Sequence, residues 1–219
     1  MTLDKPYLTL AKSADGELTE KKSRFLSFCA PVKTEREALD FIAGIRSRFP
    51  DARHCVYAYT VSSGGTFSQR YSDDGEPQGT GGIPVLDVLR KKNITDAAAA
   101  VVRYFGGILL GAPGLVRAYS SSASLAVAKA GIVRMTPLVP LSVRVSYQLW
   151  GRLENAAAQA GYMSDTPEYA EDVRAVFYIS PEELDRAVAQ FSDVCAGKLR
   201  TETGEVRFFP VPQSESEGL

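Results

Sequence analysis

The chain has 219 residues, of which 45% are hydrophobic and 23% charged, with a formal net charge of -1 and a pI near 6.0. This is the composition of a globular protein with a packed core, and its near-neutral balance excludes indiscriminate polyanion binding over the whole surface while leaving room for a local basic patch. Met1–Leu10 lacks a basic stretch followed by an apolar core, and no apolar run reaches the ~18–20 residues of a membrane span, so a cytoplasmic protein with no membrane partner is expected.

Two strands are predicted first, at Tyr7–Lys12 and Leu18–Ala30, with Asp15-Gly16 suited to a tight hairpin turn between them. A helix follows. Thr34-x-x-Glu37 is a capping box, Ala38, Ile42, Ile45 and Phe49 recur at helical spacing, and Pro50 stops the run. Strands are predicted over Arg53–Ser62 and Thr66–Ser72. Then come a polar, glycine-rich loop from Asp73 to Gly82, a short helix over Pro84–Lys92 and a buried strand over Ala97–Tyr104. A second glycine-rich loop, Gly106–Gly114, leads into a helix over Pro113–Ala130 closed by Gly131.

Pro137 and Pro140 mark a break between a helical and a strand pattern, so a domain over residues 1–136 and another over 137–209 are expected. In the second, Leu141, Val143, Val145, Tyr147 and Leu149 alternate with polar residues as a half-buried strand, and Leu153–Ala160 is helical. Strands at Tyr162–Tyr169 and Val173–Ile179, a helix opened by Ser180-Pro181-Glu182-Glu183, and a last strand over Leu199–Phe209 complete a βαββαβ order, which is that of a ferredoxin-like module. The polar, proline-bearing tail 210–219 is expected to be disordered.

Two loops carry the candidate binding residues. Asp73, Asp74 and Glu76 stand among four glycines and a proline. They can accept hydrogen bonds from a partner, or serve simply as turn residues. Their spacing does not match an EF-hand, and neither a metal nor another cofactor is implied. Arg103, Tyr104, Arg117 and Tyr119 flank a glycine-rich turn into a helix N-terminus, a plausible anion site with arginines for phosphate and aromatic rings for a base. The alternative is a plain strand-to-helix connection whose arginines pair with the acidic loop. It is neither a Walker loop nor a dinucleotide fingerprint. Ser120–Ser124 is better explained as a small-residue helix face than as a kinase phosphate loop.

His54 is the single histidine, so zinc sites and His-based nucleophilic triads lack parts, and Cys55 beside it points to the opposite face of a strand. Cys29, Cys55 and Cys195 are widely spaced with apolar neighbours and are expected to be reduced and buried. Lys21, Lys22 and Arg24, with Arg90, Lys91 and Lys92, are the best candidates for phosphate contacts.

Lys22-Ser23-Arg24-Phe25, His54-Cys55-x-x-Ala58-Tyr59, Ser72–Pro77 with Gly79-Thr80, and Arg103–Gly107 followed by Gly114–Tyr119 together resemble the YigZ/IMPACT family. The resemblance implies an α+β protein. Its first domain would be of the type of the second domain of ribosomal protein S5, and its second would be ferredoxin-like, similar to the fifth domain of elongation factor G. It further implies a noncatalytic, translation-associated regulator whose partner is a ribosome, an RNA or a translation-related protein. The binding surface would hold Arg24, His54, Asp73, Asp74, Glu76, Arg103, Tyr104, Arg117 and Tyr119. Two departures stand out: Gly81-Gly82 replaces the more usual Ala-Gly, and Ala112-Pro113 replaces a Thr-Gly pair. Two other readings stay open: an enzyme acting on a phosphorylated small molecule, and a protein-interaction module in stress signalling.

Overall fold

The computed structural model describes residues 5–63 and 66–212. The chain divides into two compact units, one of Met1–Met135 with Pro210–Leu219, the other of Thr136–Phe209.

In unit 1, strands β1 (Tyr7–Leu10), β2 (Ala14–Glu20) and β3 (Ser23–Pro31) precede helix α1 (Glu35–Arg48). Then come β4 (His54–Ser63), β5 (Thr66–Ser72), helix α2 (Gly82–Lys91), β6 (Ala97–Tyr104) and helix α3 (Gly111–Ala130). The five strands β2-β3-β6-β4-β5 lie in that order in one antiparallel sheet. Strand parity splits its central strand between two cores. Ala97, Ala99 and Val101 pack with Phe25, Leu86, Leu89, Leu115 and Tyr119 under α2 and α3. Ala98, Ala100 and Val102 face α1 through Ala38, Ile42 and Ile45. Thr34 caps α1 by accepting from the Glu37 amide at 3.1 Å, and the Glu37 carboxylate accepts from the Lys33 amide at 2.8 Å. The three cysteines are free and buried, and burial raises the Cys29 thiol to about 11.

The hairpin turn is not Asp15-Gly16. It is Lys21-Lys22, both in the left-handed region with φ of 44° and 67°. Gly16 lies inside β2, where a Cβ would come within 3.0 Å of Ser27 Oγ and 3.2 Å of Leu125 Cβ on α3. Its glycine serves close helix–strand packing.

Strand β7 (Ile132–Val145) runs through both prolines, since proline's fixed φ suits extended backbone and only a donor is missing. Its first residues pair with β1, and Val139–Val145 pair with β10 (Val173–Ile179). Helix α4 starts at Tyr147, not Leu153, and runs to Ala160, because Leu149, Trp150, Leu153 and Ala157 form a helical stripe over the same residues that read as an alternation. Two short strands, β8 (Met163–Ser164) and β9 (Glu168–Tyr169), replace the single one expected. After α5 (Leu184–Val194), β11 (Leu199–Thr203) completes the antiparallel order β11-β7-β10-β8. That is the 4-1-3-2 order of a ferredoxin-like unit, so the fold class is α+β as expected. The tail does not begin at residue 210: β12 (Arg207–Pro212) pairs with β7, and 213–219 lie outside the described residues.

Candidate functional site

The acidic loop and the arginine-bearing segment converge at one end of the unit 1 sheet, where β3, β4 and β6 lie side by side. Register puts Phe25, Arg103 and His54 abreast on the α2/α3 side. The loop that follows β5 folds over them.

Each loop carboxylate has an internal task. Asp73 accepts from the Gly79, Gly81 and Gly82 amides at 2.8, 2.9 and 2.8 Å. Two of these amides open α2, whose N-cap Gly81 has no side chain of its own to cap it. Burial opposes the Asp73 charge, but the three amides outweigh it and hold the carboxyl below the usual range. Asp74 accepts from the Cys55 amide at 2.7 Å and pairs with Arg46 of α1 at 2.9 Å. Its carbonyl oxygen lies 2.8 Å from His54 Nδ1, and since a carbonyl only accepts, Nδ1–H is the donor. Glu76 is buried and accepts from Arg103 Nη1 and from the Tyr119 hydroxyl, both at 2.7 Å through Oε1. Burial, then the bond to Glu76, raises the Tyr119 phenol far above its ordinary value.

Glu76, Arg103 and Tyr119 are buried, where an exposed surface was expected. They form a buried internal cluster, because parity turns Arg103 and Tyr119 toward the same core. The Arg103 guanidinium sits 5.5 Å from both the Phe25 and Phe105 rings. Tyr104, on the opposite face, donates to Asp51 at 2.8 Å, while Arg24 is exposed and pairs with Glu17 at 2.9 Å. Arg117 does not join the cluster. It lies about 200° around α3 from Tyr119, exposed beside Leu18, Glu20 and Ser121.

Sequence reasoning missed two parts. Arg46 reaches Asp74 from a helix far away along the chain, for which no local signal exists. The Lys21-Lys22 turn had a faint one, two residues between alternating runs. Gly106 packs on this turn so closely that a Cβ would stand 2.0 Å from the Lys22 carbonyl carbon. On either side of it in sequence the loop exposes Phe105, Ile108 and Leu109, the last at 83%. Among the described residues, no group of three or more His, Cys, Asp or Glu is placed to hold a metal. Lys21, Lys22, Arg53 and Arg117 have no ion-pair partner among them. The charge is uneven: residues 1–135 carry 18 lysines and arginines against 13 carboxylates, and residues 136–209 carry 7 against 11.

The Impact N-terminal domain model matches residues 21–127, and a domain of unknown function, DUF1949, matches residues 143–198. The IMPACT family member YvyE of Bacillus subtilis is 33% identical over 92% of this chain and 93% of its own length. The IMPACT family member YigZ of Escherichia coli is 32% identical over 82% and 89%. A crystal structure of a hypothetical protein, 30% identical, superposes with a TM-score of 0.59 over 93% of this chain and 99% of its own.

Proposed function

We propose that this chain, which belongs to the IMPACT family, acts in translation by binding and not by catalysis. Its recognition surface is the rim of unit 1 made by the Lys21-Lys22 turn, Arg24, Arg53 and the Phe105–Leu109 loop. The target is RNA, free or in the ribosome. One observation carries the reading. All three carboxylates of the acidic loop are consumed in internal bonds, while Lys21, Lys22 and Arg53 have no ion-pair partner among the described residues. A general base must be within reach of a substrate proton, whereas a phosphate surface needs cations that neutralise no one else. The left-handed lysines support the same reading, since strained backbone tends to be retained where it serves a partner.

Cosedimentation with ribosomes over a salt series tests this. The wild type should pellet at low salt and release steeply as salt rises. The charge reversal K21E/K22E should release at markedly lower salt. Failure of the wild type to pellet with ribosomes or to retain RNA at the lowest salt would sink the proposal.

A second reading rests on the exposed Phe105, Ile108 and Leu109, which suit a protein partner. Capture that survives nuclease and is lost in Leu109→Ser would select it.

A further inference from the structure

Beside the buried cluster lies a cavity of about 320 Å³, lined by Asp51, Arg53, His54, Arg103, Tyr104 and Phe105. Its volume is at the small end of ligand pockets, enough for a phosphate and part of what it is attached to.

Arg103 lines this cavity with its bonding capacity largely unused. Nη1 goes to Glu76 and is the one guanidinium nitrogen with a hydrogen-bond partner among the described residues. Nε is buried and has none. Buried donors are normally satisfied, and one that is not calls for an explanation. The Nε–Nη2 edge is the fork with which arginine grips two oxygens of an oxyanion. The guanidinium also lies over the Phe25 and Phe105 rings, 5.5 Å from each centroid, within reach of cation–π attraction.

Two further groups join it. Arg53 is exposed at the mouth with no ion-pair partner among the described residues. His54 stands opposite Arg103 in register, and its Nδ1 is held by the Asp74 carbonyl, while Nε2 has no hydrogen-bond partner among the described residues. Asp51 is the one carboxylate of the wall, and it already accepts from the Tyr104 hydroxyl. Phe105 is 54% exposed and offers a ring face at the rim.

The geometry points to a phosphate subsite formed by the free edge of Arg103 with Arg53 and His54, where Phe105 stacks on the attached base. The bound group is the phosphate of a nucleotide, whether a link in an RNA strand or a free mononucleotide. This deepens the RNA reading given above and rests on it for the source of the nucleotide, not for the anion site itself.

The test uses the full chain and fluorescence anisotropy with a short labelled oligouridylate, with UMP and inorganic phosphate as competitors at matched ionic strength. The double variant R53Q/H54Q, which leaves the buried cluster intact, should bind at least about tenfold more weakly, with the salt slope reduced by about one. Arg103→Lys keeps the charge opposite Glu76 but loses the fork, and should weaken binding by a similar factor. Competition by UMP at concentrations where inorganic phosphate fails identifies a mononucleotide site. Competition only by unlabelled oligouridylate identifies a strand. Wild-type affinity in both variants, or no binding of any of the three ligands by the wild type, overturns the inference. Ribosome pelleting that persists in R53Q/H54Q alongside unchanged anisotropy would reject the subsite alone. Loss of pelleting by the wild type, with phosphate binding intact, would reject only the ribosomal role.

Discussion

Asp73 acts as a remote cap for α2, and its replacement gives the sharpest test of how the acidic loop is built. Asp73→Ala removes an acceptor from three amides, two of them on the buried residues Gly81 and Gly82 at the positive end of a helix. A hydrogen bond to a charged group contributes about 1.5–3 kcal/mol, and a lost N-cap costs about 1 kcal/mol. The carboxylate is only partly buried and the bonds share one group, so the total falls well short of three independent bonds, at about 3 kcal/mol. Asp73→Asn keeps one acceptor oxygen but turns an NH₂ toward an amide donor, and should cost about 2 kcal/mol, mainly through that unmade bond. For a chain of this length these costs correspond to a fall in Tm of about 6–12 °C for the alanine variant. The assay is thermal and urea unfolding from pH 8 to pH 3. The folded carboxyl titrates below its unfolded value of about 3.9. Its stabilisation is therefore complete above that value and is lost as the pH falls through the folded pKa. The gap between wild type and Asp73→Asn should be flat from pH 8 to about pH 5 and begin to narrow below about pH 4. A cost under about 1 kcal/mol for the alanine variant, or a gap that does not narrow at all between pH 5 and pH 3, would refute the remote cap.

Three other outcomes follow from the same geometry. Glu76→Ala should destabilise by about 3–5 kcal/mol, because it strands the buried Arg103 charge. Glu76→Gln, which keeps an acceptor, should cost about 1–2 kcal/mol, and urea unfolding that ranks the pair otherwise would discount the buried ion pair. Gly106→Ala should cost at least about 2 kcal/mol, since its methyl would meet the Lys22 backbone at 2.0 Å and one of the two segments must move; wild-type stability would show the approach to be looser. K21N/K22G supplies the residues that prefer a left-handed two-residue turn and should raise stability by about 1 kcal/mol or more, while weakening ribosome pelleting. A variant that is destabilised would show that the lysines are not strained.

The long periodic elements were legible because their signals are local. Thr34 and Glu37 announced α1, Ala97–Tyr104 was a strand within its stated bounds, and Gly131 closed α3. What failed involved competition between two local rules or contacts between distant residues. Residues 145–149 satisfy both a strand alternation and a helix stripe, and the helix won because Leu153 and Ala157 extend its stripe into the core. Pro137 and Pro140 stand just past the point where the chain divides into its two units, and strand β7 nonetheless runs through both, because extended backbone accommodates proline. In the site, grouping Arg103 and Tyr119 with the acidic loop was possible from sequence, but their burial was not. Parity assigns a face without saying that an acidic loop will close over it. Arg117 shares a short segment with Tyr119 and only helical phase separates them.

The sheet of unit 1 is centred on four consecutive alanines, Ala97–Ala100, none more than 2% exposed. A strand with such short side chains is a thin wall, and the helices on either side settle close to its backbone. Nothing on that wall can swell without displacing a neighbour. The same strand carries Arg103 three residues beyond Ala100, while α3 carries Tyr119, and both reach one Glu76 oxygen. A single added methyl group at Ala99, far from the cavity, would drive strand and helix apart and misalign the two donors. Changes with no contact to any ligand can thus blunt recognition, and in a mutational screen the alanines should behave like residues of the site.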